Sequence, residues 1–212
     1  MQLVVRRDRH RPTREIDVAE AGARAVVALL ADERCEPGGA WHDATAYWSD
    51  DRIRKLVRRA DGKRWDDAQA LDGVTVCQPG PDGFATAAVR AYVPAPVRTV
   101  PKLLARLQVS GTQFGTEGES LSDAAVVTIE VSPLIAMTSG KLTAQCGHAA
   151  QLAWDLMDRS ARERWRSDGF RVRVEHPDAV TWAATRRPVS VVDAGFTELD
   201  GPTETTRAHW AR

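Results

Sequence analysis

The residues best suited to chemistry lie in two short stretches. The first is Met137-Thr138-Ser139-Gly140-Lys141-Leu142-Thr143-Ala144-Gln145-Cys146-Gly147-His148-Ala149-Ala150. Thr138 and Ser139 are good N-caps, which predicts a helix starting within a residue of Gly140. Lys141 then falls in the first turn, where the helix macrodipole opposes a positive charge. With an anion present, open backbone N–H groups and the ammonium converge on it. Lys141, Gln145 and His148 are spaced i, i+4 and i+7 and share a face. Ala144, Gly147 and Ala150 are small enough to let the helix lie close to a sheet. Alone, Lys141 reads equally as a surface lysine and His148 as a half-buried, hydrogen-bonded histidine.

The second stretch is Val189-Ser190-Val191-Val192-Asp193-Ala194-Gly195-Phe196-Thr197. Branched apolar residues predict a buried strand. It runs into a carboxylate at the strand's carboxyl end, where α/β sheets place ligands. Gly195 permits a sharp turn, from which Thr197 can return its hydroxyl toward Asp193. The alternative is an Asx turn in which Asp193 caps the backbone that follows.

The elements that must position these residues follow from hydrophobic patterning. In the first half, strands are expected at Gln2–Arg6, Ile53–Val57, Val74–Cys77 and Ala85–Val93. Helices are expected through Ile16–Leu30, over Trp65–Leu71 and over Val100–Val109. Residues Ser110–Asp123 are rich in Gly, Ser, Thr and acid, the composition of a linker. The pattern then restarts, with strands at Ala124–Val131, Phe170–Val174 and Val189–Asp193 and helices at Gly140–Met157 and Ala179–Ala184. The expected fold is α/β: a layered mixed β-sheet with helices on both faces, in two tandem copies forming a pseudo-dimer. It divides into a degenerate repeat or accessory domain (1–109), a linker (110–123) and a second domain (124–212).

Composition narrows the function classes. Of 212 residues, 43% are hydrophobic and 27% charged, enough to bury a core. No apolar run reaches the roughly 18–20 residues of a membrane span, and the opening residues place charge after the apolar stretch, the reverse of a secretory signal. Cys35, Cys77 and Cys146 are too scattered for a disulfide framework or zinc cluster. A cytoplasmic location, no metal and no cofactor are the resulting expectations. The zero formal net charge argues against non-specific coating of nucleic acid. Two local basic groups remain: Arg52, Arg54, Lys55, Arg58, Arg59, Lys63 and Arg64, and then Arg159, Arg162, Arg164, Arg166, Arg171 and Arg173. They read as solvated faces or as phosphate-binding patches.

Together the two stretches resemble the second, archaeal and eukaryotic class of peptidyl-tRNA hydrolases. That family combines a Gly-Lys-x-x-Ala-Gln-x-x-His-Ala helix with a later Asp-x-Gly-x-Thr and a Gly-Ser/Thr-x-Thr segment. Here the helix reads Gly140 to Ala149 and the strand end Asp193 to Thr197. Gly201-Pro202-Thr203-Glu204-Thr205 matches the trailing segment approximately, with its Gly and Pro inverted relative to the usual Pro-Gly turn. The resemblance covers about 90 residues of the sequence. The full layout, including Val100-Pro101-Lys102 and Leu107-Gln108-Val109-Ser110-Gly111-Thr112, is similar to actinobacterial members with an extra N-terminal region.

The resemblance implies hydrolysis of the ester between peptide and tRNA. Lys141, Asp193 and Thr197 would be catalytic, and Gln145, His148, Thr203 and Thr205 would bind substrate. Peptidyl-tRNA is the implied partner, docked on a basic surface, with no membrane and with the chain as a monomeric pseudo-dimer or a homodimer. Two rival expectations are a non-catalytic tRNA- or protein-binding relative and a hydrolase of another small ester or amide. Cys146 faces away from Lys141 and reads as packing, and burial is the expected fate of Trp41, Trp48 and Trp65.

Overall fold

The computed structural model describes residues 1–50, 53–83, 85–96, 99–193 and 201–211. Among these, the strands form two four-stranded mixed sheets of identical topology, β2-β1-β4-β3 and β6-β5-β8-β7. The first comprises β1 (Gln2–Arg6), β2 (Leu56–Ala60), β3 (Gly73–Pro79) and β4 (Thr86–Tyr92). The second comprises β5 (Val127–Val131), β6 (Val172–Glu175), β7 (Val189–Asp193) and β8 (Thr203–Trp210). In each, the first two strands run parallel and the others are antiparallel to their neighbours. The expected α/β fold with two tandem sheet units is therefore present.

The crossovers are α1 (Glu15–Leu30), between β1 and β2, and α5 (Ser139–Leu156), between β5 and β6. These helices pack on one another and form the layer between the sheets. Val18, Ala21, Ala25 and Leu29 of α1 meet the first sheet through Leu3, Val5 and Val89. The opposite stripe, Ile16, Ala19, Ala23 and Val27, joins Val127, Ile129 and Val131 of the second sheet and Leu142, Cys146 and Ala150 of α5. Because α1 has apolar stripes on two faces, it is buried on both.

Glycines set the helix spacing. A Cβ on Gly22 of α1 would stand 2.3 Å from Cγ2 of Thr143, and one on Gly147 of α5 would meet Val26 and Lys55 at 3.2 Å. The small residues of α5 thus serve closeness to α1 and the first half, not only to its own sheet.

Other helices close the remaining faces. On the outer face of the first sheet, Trp65 and Ala68 of α3 (Gly62–Ala68) and Leu104 of α4 (Lys102–Ala105) cover Val4, Ala88 and Tyr92. On the second, Trp182 of α7 (Ala179–Ala184) stacks on the Arg207 guanidinium, 3.7 Å from its ring centroid.

Several elements differ from expectation. The strand expected at Ile53–Val57 lies at Leu56–Ala60, and the helix expected over Val100–Val109 is the single turn Lys102–Ala105. α2 (His42–Asp50) and α6 (Arg159–Ser167) arise where no helix is expected, because each buries little: Thr45 and Trp48 in one, Ala161 and Trp165 in the other. Asp158 caps α6 by accepting from the Ala161 N–H at 2.7 Å.

Residues 110–123 are more than a linker. The Glu15 N–H donates to the Gly115 carbonyl at 2.6 Å, and the Gly140 N–H donates to the Thr112 carbonyl at 3.2 Å. The stretch thereby satisfies open donors at the N-termini of both α1 and α5.

Candidate active site

Thr138 caps α5, its hydroxyl accepting from the Lys141 N–H at 3.2 Å. This fixes Lys141 in the first turn, as expected. Its ammonium donates to Oδ2 of Asp193 at 2.6 Å, across 52 residues of sequence. The carboxylate is the anion that a lysine in this position requires. Gln145, one turn on, donates from Nε2 to the same oxygen at 2.7 Å.

Asp193 ends β7, which is an edge strand with only one buried face, not the fully buried strand expected. Val192 is 59% exposed. Val189 and Val191 point inward while Ser190 and Val192 face solvent.

β8 completes the site and carries no apolar alternation to announce it. Between Val191 and Val192 its register slips: Val191 pairs with Thr206 and Val192 with Glu204, leaving Thr205 as the extra residue of a β-bulge. Bulges re-aim side chains. Here Thr205 turns its hydroxyl to Oε1 of Gln145 at 2.9 Å. A carboxylate only accepts, so the amide nitrogen of Gln145 must face Asp193 and its oxygen Thr205. Thr206 donates to the Gln145 carbonyl at 3.2 Å, tying helix to strand.

Lys141, Gln145, Asp193 and Thr205 are thus brought together. The Lys141 and Asp193 side chains retain 10% and 16% exposure, so the pair is largely buried but still reached by solvent.

The other expected residues fall elsewhere. His148 shares the helix but its Nδ1 lies 3.2 Å from Nζ of Lys55, a residue of the first half. Thr203 stands opposite Asp193 in the ladder, yet its hydroxyl donates to the Gly201 carbonyl at 3.1 Å. Thr197 and Gly195 lie outside the described residues, as does Arg52. Cys146 is fully buried and burial pushes its thiol well up, which removes it as a nucleophile.

Electrostatics around His148 favour the neutral ring. Burial first, then the Lys55 charge, hold it well below the ordinary histidine range, against an opposing pull from Asp193. Lys55 is lowered to about 7 by burial, with Asp155 opposing.

The basic cluster does not form one platform. Lys55 and Arg58 are buried, and Arg58 donates to Gln2 at 2.9 Å and to the Leu107 carbonyl at 2.9 Å. Lys63 and Arg64 instead join Arg6, Arg7 and Arg9 around an open cleft of about 700 Å³ that Asp8, Asp61 and Asp66 also line, Arg9 pairing with Asp61. In the second cluster, Arg159, Arg171 and Arg173 pair with Glu163, Asp168 and Glu175. Trp41, Trp48 and Trp65 are buried. Among the described residues no group of three His, Cys, Asp or Glu could hold a metal ion, and no helix is long and apolar enough to cross a membrane.

The first half carries a sealed counterpart that sequence reading missed. Glu20-Ala21-Gly22 on α1 matches Gln145-Cys146-Gly147 on α5, each ending on a helix-contact glycine. Glu20 accepts from Gln78 of edge strand β3 at 3.1 Å, and Gln78 accepts from Arg24, one turn further along α1, at 2.5 Å. Ser122 at 2.8 Å, Ser120 and the Val174 N–H at 3.1 Å take its remaining capacity. The serines of 110–123 therefore seal this contact between crossover helix and edge strand in the first half.

Compared with protein-family models, with curated proteins and with solved structures, the chain matches none.

Proposed function

We propose that this protein hydrolyses the ester bond between peptide and tRNA in peptidyl-tRNA. The observation that carries this reading is the convergence of the Lys141 ammonium and the Gln145 amide on one carboxylate oxygen of Asp193. These three residues occupy the matching positions of both motifs that resemble the hydrolase family.

In this reading Asp193 orients a water and takes its proton as the water attacks the ester carbonyl. The oxygen of that carbonyl gains negative charge, which Lys141 neutralises from the helix N-terminus. The bond between carbonyl carbon and ribose oxygen then breaks, and Asp193 returns the proton it took to the leaving ribose oxygen, giving the free 3′-terminal hydroxyl and the peptide carboxylic acid. Gln145 and Thr205 hold the carboxylate in register, and His148 and Thr203 contact substrate. The resemblance implies a catalytic role for Thr197 as well. Phosphates of the tRNA would be met by Arg6, Arg7, Arg9, Lys63 and Arg64 around their cleft. The setting would be cytoplasmic translation.

The low exposure of the Lys141–Asp193 pair favours a second reading, a binding relative in which the pair is structural. A cleavage assay with an N-blocked aminoacyl-tRNA, on wild type and on Asp193→Ala, separates the two. Turnover lost in the variant with tRNA binding kept supports the hydrolase. Absence of turnover in both supports the binder. Uncharged tRNA should inhibit, with a marked salt dependence; cleavage indifferent to it would indicate a hydrolase of other small esters.

A further inference from the structure

Lys55 precedes β2 in the first half, yet its amine is spent on the second. Nζ donates to Oε1 of Gln151 at 2.5 Å and lies 3.2 Å from Nδ1 of His148, both on α5. It also sits 4.9 Å from the centroid of the Trp48 ring. The close approach is possible because residue 147 is glycine: a Cβ there would stand 3.2 Å from Cδ of Lys55. The residue is 9% exposed. An amine this enclosed, reaching across the pseudo-dimer to a histidine one turn beyond Gln145, does more than cover surface.

We infer that Lys55 is a positioning residue of the second half's site, holding His148 as the Nε2–H tautomer so that it offers a donor on the face of α5 that also carries Lys141 and Gln145. Below about pH 7 Lys55 holds its proton, and an ammonium has three donors and no acceptor, so the nitrogen facing it must carry the lone pair. With Nδ1 accepting, the ring proton stays on Nε2. His148 is only partly buried, so that side of the ring is the one left for solvent or substrate.

The charges around the ring act in the same sense. Burial is the largest cause that keeps the ring neutral, and the Lys55 and Lys141 charges oppose protonation further, against Asp193 in its favour. The N-terminal amine, lowered to about 5 by burial and by Lys55, is uncharged near neutral pH and donates to the Arg54 carbonyl at 2.7 Å. Lys55 in turn feels Asp155. The ring therefore stays neutral through the pH range in which an ordinary histidine titrates.

What the donor serves rests on the proposed hydrolase: a neutral Nε2–H can bond an acceptor oxygen of the substrate, such as the ester carbonyl or a ribose hydroxyl. It does so without competing with Lys141 for Asp193. The site would then be composite, and this gives the first half a role beyond covering α5.

Nitrogen-15 NMR of the histidine rings tests the tautomer directly, with His148 assigned by the signals missing in His148→Gln. The expected result is an Nε2–H pattern unchanged between pH 5.5 and 6.5, where Lys55 holds its proton. In Lys55→Met the ring should become a tautomer mixture that titrates closer to the ordinary histidine value. A wild-type ring protonated on Nδ1, or titrating normally, overturns the inference even if Lys55→Met fails to fold. So does a folded Lys55→Met whose His148 signals match wild type. In the cleavage assay Lys55→Met should lose roughly 100-fold in kcat with KM little changed, as expected of a misplaced contact group. An unchanged kcat refutes the positioning role. No cleavage by wild type, with the tautomer as stated, leaves the tautomer assignment standing and overturns the hydrolase reading instead.

Discussion

Replacing Gly22 by alanine tests how the two halves are joined. The added Cβ would lie 2.3 Å from Cγ2 of Thr143, about 1 Å short of ordinary contact. Both residues are buried in helices whose packing holds the two sheets together. Overpacking of this kind costs roughly 1–3 kcal/mol, while Gly→Ala in a helix interior returns up to about 1 kcal/mol. The expected net loss for Gly22→Ala is about 1–2 kcal/mol. Thr143→Ser removes the offending methyl but keeps the hydroxyl that donates to the Ser139 carbonyl at 2.7 Å. In that background Gly22→Ala should become neutral or stabilising, giving a coupling of about 2 kcal/mol in a double-mutant cycle. Urea unfolding followed by tryptophan fluorescence reads all four proteins. Additivity within about 0.5 kcal/mol would refute the close approach of α1 and α5.

Three further outcomes follow from the site. Asp193→Ala should lose about 2–3 kcal/mol by leaving the Lys141 ammonium and the Gln145 amide short of an acceptor in a largely closed setting. Lys141→Met in the same chain should recover part of that loss in thermal or urea unfolding. Thr205→Val removes the donor to Gln145 at a fully buried position, for about 1–3 kcal/mol, and should lower cleavage more than tRNA binding. Lys55 carries a pH signature: its amine is near 7 in the fold against an ordinary 10.5. Between those values the unfolded chain holds the proton that the folded chain has shed, so this contribution to stability rises with pH. The difference between wild type and Lys55→Met should therefore shift in favour of wild type by a few kcal/mol from pH 7 to pH 10. A difference flat with pH would contradict the burial of this amine.

How much was legible in sequence depends on where the signals are local. α5 was legible because a cap, small residues and a polar face lie within fourteen consecutive positions, Met137 to Ala150. β7 was legible from its valines, and the meeting of Lys141 with Asp193 followed from reading the two motifs as one site. β8 was hidden because a central strand is expected to be apolar, whereas Thr205, Thr206 and Arg207 are buried by hydrogen bonds and stacking instead. Its bulge, which aims Thr205, has no local marker. α6 was hidden because one fully buried tryptophan, Trp165, anchors an otherwise charged helix. In sequence Lys55 is only one of a basic run, since its partners His148 and Gln151 are 93 and 96 residues away. The seal on Glu20 was invisible for the same reason: Ser120 and Ser122 look like linker until the fold brings them to α1.

The most direct test of the hydrolase reading is the single-turnover rate of peptide release from an N-blocked aminoacyl-tRNA by wild type and by the isosteric Asp193→Asn. The account predicts cleavage by wild type and a loss of about 10²–10⁴-fold in the variant, the usual contribution of a positioned base, with tRNA affinity retained. Equal rates in the two proteins, or a wild type that binds tRNA and never releases peptide, would contradict it.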